Sequence, residues 1–169
     1  MNALLPKDIR IMYIRKAKED FHSRYSAIFR DYTYFIYNKT TLNPFFMRYS
    51  WHVPYFLDID LMKDKKQMFI GNRDFGFISN EPNDKNCVRD VHFLRIKRKG
   101  DFIVIHIRAN GFLRGMVRNI VGYLVALSRN TLKMDTSKNI IQKQVEIKSF
   151  KAPPNGLFLS RVFYARSDV

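Results

Sequence analysis

The sequence has a single cysteine, Cys87, in 169 residues, so no disulfide can form within the chain and a reducing compartment is expected. Its histidines, His22, His52, His92 and His106, are scattered, and no spacing among them matches a zinc site. Long apolar runs are missing. The longest, Ile120 to Leu127, is far too short to cross a bilayer, and the N-terminal residues show no apolar signal region. No Ser-His-Asp set, phosphate-binding glycine loop or metal cluster is visible. These deficits exclude disulfide-stapled, zinc-dependent and membrane-spanning classes and lead us to expect a soluble, cytoplasmic protein with no membrane partner. Acidic residues are also scarce: 15 Asp and Glu face 30 Lys and Arg, a formal net charge of +15. Solubility alone does not call for that excess, which points to a polyanionic partner.

Apolar residues make up 46% of the chain, enough for a real core in one domain or two small ones. Aromatic residues reach 15%, mostly Phe and Tyr. Rings mixed with basic residues suit looped or single-stranded RNA, where rings stack on bases and cations meet phosphates.

Along the chain, Ile9 to Arg15 alternates like a strand, and Ile28 to Asn38 reads as a second, aromatic-rich strand. Asp58 is placed to cap a helix from Ile59 to Ile70, with Leu61, Met62, Met68 and Phe69 on its apolar side and Gly71 as its stop. Ser79 to Asn86 is a polar loop. Val88 to Asn110 forms a hairpin turning at Lys99-Gly100-Asp101. One face of that hairpin is apolar through Leu94, Ile96, Ile103, Ile105 and Ile107. The other carries Arg95, Lys97, His106 and Arg108, a face that is either solvated or turned to RNA. Asp135 or Thr136 caps a short helix through Val145, and Ala152 to Gly156 turns into a last strand, Leu157 to Tyr164. The pattern is α+β: an antiparallel sheet with helices packed on one face.

Ala109 to Asn130 predicts a central helix, with Asn110 as N-cap, Arg129 in the last turn and Asn130 ending it. Phe112, Leu113, Met116, Val117, Ile120, Val121, Leu124 and Leu127 gather on one broad side, while Gly111, Gly115, Arg118 and Gly122 fall opposite. Each glycine inside a helix costs about 1 kcal/mol relative to alanine. Several beside one arginine imply that something lies close against that stripe, with Arg118 the one charge directed at it. Two further stretches stand out. Phe21-His22-Ser23-Arg24 is compact and polar-aromatic, and Arg30-Asp31-Tyr32-Thr33-Tyr34 puts both tyrosines on one strand face.

In this order, these stretches resemble the tRNA pseudouridine synthase A family. Asn2 to Ile9 is similar to its Asn-Ala-Leu-Pro-x-Asp-Ile segment, and Phe21 to Ala27 to its Phe-His-Ala-Arg-Phe-Ser-Ala, with Ser23 and Tyr25 as departures. Arg30-x-Tyr32-x-Tyr34, Gly71 to Phe75, the nearly unbroken Ala109 to Gly122 and Pro154-x-Gly156-Leu157 follow the same family pattern. The resemblance implies the C-terminal subdomain of the pseudouridine synthase fold over residues 1–169. It implies isomerisation of uridine to pseudouridine in the tRNA anticodon stem-loop, no cofactor and no metal, and a homodimer. It also implies that Tyr32 stacks on the extruded base and that Arg118 pairs with the nucleophilic aspartate. Arg24, Arg30, Arg114 and Asn119 would complete the substrate-binding set.

The family's nucleophile lies in a Gly-Arg-Thr-Asp-Ala-Gly segment, and no aspartate here has that context. We therefore expect an N-terminal subdomain bearing that aspartate to be absent, and this chain to be inactive alone. Three readings stay open: the C-terminal part of a synthase, a non-catalytic RNA-binding module, and a half-enzyme working with a separate N-terminal half.

Overall fold

The computed structural model describes residues 1–80, 86–129 and 150–165. Six strands form one sheet: β1 (Ala27–Tyr37), β2 (Trp51–His52), β3 (Gly71–Asp74), β4 (Val88–Lys99), β5 (Phe102–Ala109) and β6 (Leu157–Tyr164). Among the described residues two helices, α1 (Ile59–Lys65) and α2 (Met116–Ser128), join them. β5 pairs antiparallel with β1 and β4, and β6 runs antiparallel along the other side of β1. Leaving out the two short strands, the order β6-β1-β5-β4 with helices between is a split β-α-β arrangement. The two-residue pairing of β2 with β1 is parallel, so the sheet is mixed where only antiparallel pairing was expected.

Alternation decides which face is covered. Tyr34 and Ile36 of β1, Leu94 and Ile96 of β4, and Ile103, Ile105 and Ile107 of β5 are buried and share one core with Met62 of α1 and with α2. Fully burying one such side chain contributes about 1.5–3 kcal/mol. Both helices contribute to this core, leaving the opposite face of the sheet uncovered by either.

The Asp58 carboxylate accepts from the Asp60 and Leu61 amides and starts α1 where the sequence places it. The expected helix to Ile70 is α1 followed by one 3₁₀ turn, Lys66–Phe69, before Gly71 at φ +95°. β1, the hairpin at Gly100 and β6 also match expectation. Ile9 to Arg15 does not form a strand. Met12 and Tyr13 lie exposed, and the Asn2 side chain clasps both backbone groups of Ile11 instead of a neighbouring strand. Alternation without a partner strand makes no ladder.

The central helix is shorter than predicted and begins at Met116. Asn110 is not its cap. Its amide and side-chain oxygen clasp Asp90 on β4, and this reciprocal bond holds the chain away from helical geometry. Gly111 and Gly115 thus precede the helix, and Gly115 turns the chain at φ +80°. α2 is buried on nearly every side, Tyr123, Val125 and Ala126 included, so it is a core helix and not an amphipathic one. Asn130 and the helix expected from residue 135 or 136 through 145 lie outside the described residues, as does most of the Ser79–Asn86 loop.

Candidate nucleic-acid cleft

The turn before α2, the start of β1 and the start of β4 meet around an open cleft with two lobes of about 670 and 620 Å³. Both lobes are lined by Arg24, Tyr32, Arg89 and Phe112, so Tyr32 stands where they join. Arg118, Arg114 and Lys151 line one lobe, and Arg30 and Asn110 the other. No acidic side chain is among the described residues lining either lobe, so the charged side chains of the described lining are all basic.

Arg118 stands in the first turn of α2. Its Nε donates to the Ala152 carbonyl at 2.6 Å, and the Ala152 amide donates back to the Arg118 carbonyl at 3.1 Å. One turn on, Gly122 faces the Phe150 carbonyl so closely that a Cβ would overlap it. The predicted close approach to the glycine stripe is therefore made by this chain's own 150–152 segment, which fixes the arginine from one side. Among the described residues no carboxylate forms an ion pair with Arg118.

Tyr32 is half-buried, and its ring meets Phe112 edge to face at 5.1 Å. Two residues on, Tyr34 is wholly buried and donates its hydroxyl to the Pro153 carbonyl at 2.7 Å. Burial pushes the Tyr34 hydroxyl well above the ordinary tyrosine range, which keeps it a proton donor. The two tyrosines share a strand face and differ in role: Tyr34 anchors the turn before β6, and Tyr32 presents its ring to the cleft.

The other predicted residues separate by geometry. Arg24 is exposed and lines both lobes. Arg114 borders the Arg118 lobe from the turn ahead of α2 rather than from within the helix. Arg30 lines the cleft, but its guanidinium donates to the backbone carbonyls of Arg24, Ala27 and Asn110, tying the two walls together. Asn119 is wholly buried and does not line the cleft. Its amide donates to the Ile78 carbonyl at 2.7 Å and to the Asn80 side chain at 3.2 Å. Arg89 and Phe112 were missed. Phe112 sits inside the recognisable Ala-Asn-x-Phe run, whereas nothing in the spacing of β4 singles out Arg89.

A basic, open cleft lined by the rings of Tyr25, Tyr32 and Phe112, built where strands of a split β-α-β sheet end, gives this α+β domain the surface chemistry of an RNA-binding one. A family model described as tRNA pseudouridine synthase matches residues 66–165. The tRNA pseudouridine synthase A of Thermodesulfovibrio yellowstonii is 33% identical over 97% of this chain and 69% of its own length. That of Wigglesworthia glossinidia brevipalpis is 36% identical over 97% of this chain and 63% of its own. The tRNA pseudouridine synthase A 1 of Protochlamydia amoebophila is 37% identical over 99% and 68%. The chain belongs to the tRNA pseudouridine synthase family, a family of isomerases, and spans about two thirds of the length of these relatives.

Proposed function

We propose that the cleft receives a uridine extruded from a tRNA anticodon stem-loop and holds it during isomerisation to pseudouridine. The observation that carries this reading is the placing of Arg118 and Tyr32 on the walls of one cleft whose described lining holds no acidic side chain. The base stacks against Tyr32, and Arg24, Arg89 and Arg114 meet the flanking phosphates. In the reaction the bond from C1′ to N1 breaks and one from C1′ to C5 forms. C5 gives up its proton and N1 takes one, so no oxidant or reductant is needed. Arg118, held by Ala152, keeps its remaining donors for a carboxylate supplied by an aspartate outside these 169 residues. A fixed guanidinium stabilises that carboxylate in its ionised, attacking form. We extend the reading to a C-terminal subdomain acting in a cytoplasmic homodimer, either joined to or assembled with an N-terminal half.

The test uses tRNA tritiated at uridine C5, because every turnover releases that label to water. The 169-residue chain alone should bind the tRNA and release nothing. An enzyme that adds a Gly-Arg-Thr-Asp-Ala-Gly segment should release label from anticodon-arm uridines. Release by the chain alone would refute the missing-acid reading, and no binding would refute the cleft.

A further inference from the structure

The sheet face turned away from both helices carries a second constructed surface, which the cleft does not use. Across four adjacent strands Phe93, Arg108, Asp31 and Arg161 stand directly opposite one another. Asp31 is almost wholly buried and accepts from Arg108 Nε at 2.7 Å and Nη2 at 2.8 Å, with His106 Nε2 at 3.2 Å. The Arg108 guanidinium lies over two rings, Phe93 at 5.0 Å and Phe163 at 4.3 Å. Arg95 covers Phe93 at 4.4 Å and Arg161 flanks Phe163 at 5.5 Å. Arg95, Arg161 and the neighbouring Lys97 are exposed, and none forms an ion pair among the described residues. The one acid at the centre is consumed in fixing Arg108, so the outward charge of the row is positive.

Two register shifts build this arrangement. One lies between Val91 and Phe93 and brings Phe93 opposite Arg108. The other, between the Tyr32–Leu159 and Asp31–Arg161 pairs, leaves Leu159 beside Tyr32 on the cleft side and turns Arg161 and Phe163 to the opposite face. Val162, between them, lines the cleft. The two surfaces are thus separated only by the thickness of β6.

We propose that this face is a second RNA contact, holding the phosphate backbone of the tRNA outside the hairpin seated in the cleft. The proposal rests on the cleft reading for its tRNA. Charge selects the occupant: guanidiniums spaced among rings on a sheet face that neither described helix covers fit a polyanion with stacking faces. The strand leaving the cleft over β6 meets Arg161 first and Arg95 beyond it.

The experiment compares the full chain with an Arg95→Ala, Arg161→Ala double variant. These exposed side chains leave the Asp31–Arg108 pair intact, and thermal melting checks the fold. Binding is measured by fluorescence anisotropy across a salt series, on a whole tRNA transcript and on its isolated anticodon hairpin. The double variant should bind whole tRNA about tenfold more weakly, with a salt slope shallower by about 1.8, and the hairpin as before. Equal loss on both RNAs, or none on either, overturns the second contact while leaving the cleft reading standing. So does a change from dimer to monomer in sedimentation with RNA affinity per protomer unchanged. Failure of the parent chain to bind either RNA overturns both.

Discussion

Arg118 and Ala152 hold each other through two hydrogen bonds, guanidine Nε to carbonyl and amide to carbonyl. The pairing ties the charge at the start of α2 to the turn that launches β6, so the arginine is oriented before any partner arrives. Orientation prepared in the folded state need not be created during reaction.

Arg118→Ala, in an enzyme that includes the aspartate segment, should lower turnover by about 10²–10³-fold or more, while tRNA affinity falls only modestly. Arg118→Lys keeps the charge but not the paired donors, and should recover little of the rate. Single-turnover kinetics with a tRNA binding titration separates the two effects. Parent-like rates in Arg118→Ala would remove this residue from the chemistry.

Tyr32→Phe preserves the ring and its edge-to-face contact with Phe112, whereas Tyr32→Ala removes both. Stacking contributes about 1–3 kcal/mol per base, so the alanine variant should bind hairpin RNA about tenfold more weakly and the phenylalanine variant nearly as well as the parent. Equal losses would assign the role to the hydroxyl.

Gly122→Ala should destabilise the fold by about 1–3 kcal/mol, although alanine is the better helix former. The added methyl would meet backbone, the Phe150 carbonyl, which has no flexible end to move aside. Urea denaturation reads the loss. The same displacement should weaken the Arg118–Ala152 pairing and reduce turnover at temperatures where the variant remains folded.

Asp31→Asn should cost about 2 kcal/mol at neutral pH, since it replaces charge-assisted bonds to Arg108 with weaker ones. Burial alone would raise the Asp31 carboxyl, but its bonds and charge contact with Arg108, and then His106, outweigh burial and hold it below the usual carboxylate range. The folded value therefore lies below the unfolded one of about 3.9, and the stabilisation is present above that pH. It fades as pH drops through the folded value. Parent and variant stabilities should thus differ at pH 7 and converge in strong acid; a constant gap would contradict the assignment.

Where burial follows local pattern, the sequence was read correctly. The alternation in β1 and β5, the Asp58 cap, the Gly100 turn and the β6 boundaries depend on near neighbours along the chain. Family membership was legible for the same reason, carried by contiguous motifs such as Ala109 to Gly122. The α2 start was misread because Asn110 has two uses, and only its partner Asp90, 20 residues away, decides between capping and clasping. Ile9 to Arg15 was misread because an alternating stretch needs a strand beside it.

The residue types, their order and the basic excess were set by the sequence alone: an RNA-binding α+β domain of this family, with Arg118 and Tyr32 as its prominent candidates. Tertiary structure decided what each side chain does. It sent Arg30 to three backbone carbonyls, buried Asn119 away from the cleft and brought Arg89 in from β4. Register shifts in two strands put Phe93 and Phe163 on either side of Arg108. Such outcomes depend on which strand lies beside which and in what register, quantities set by the packing of distant segments and not encoded in any one stretch.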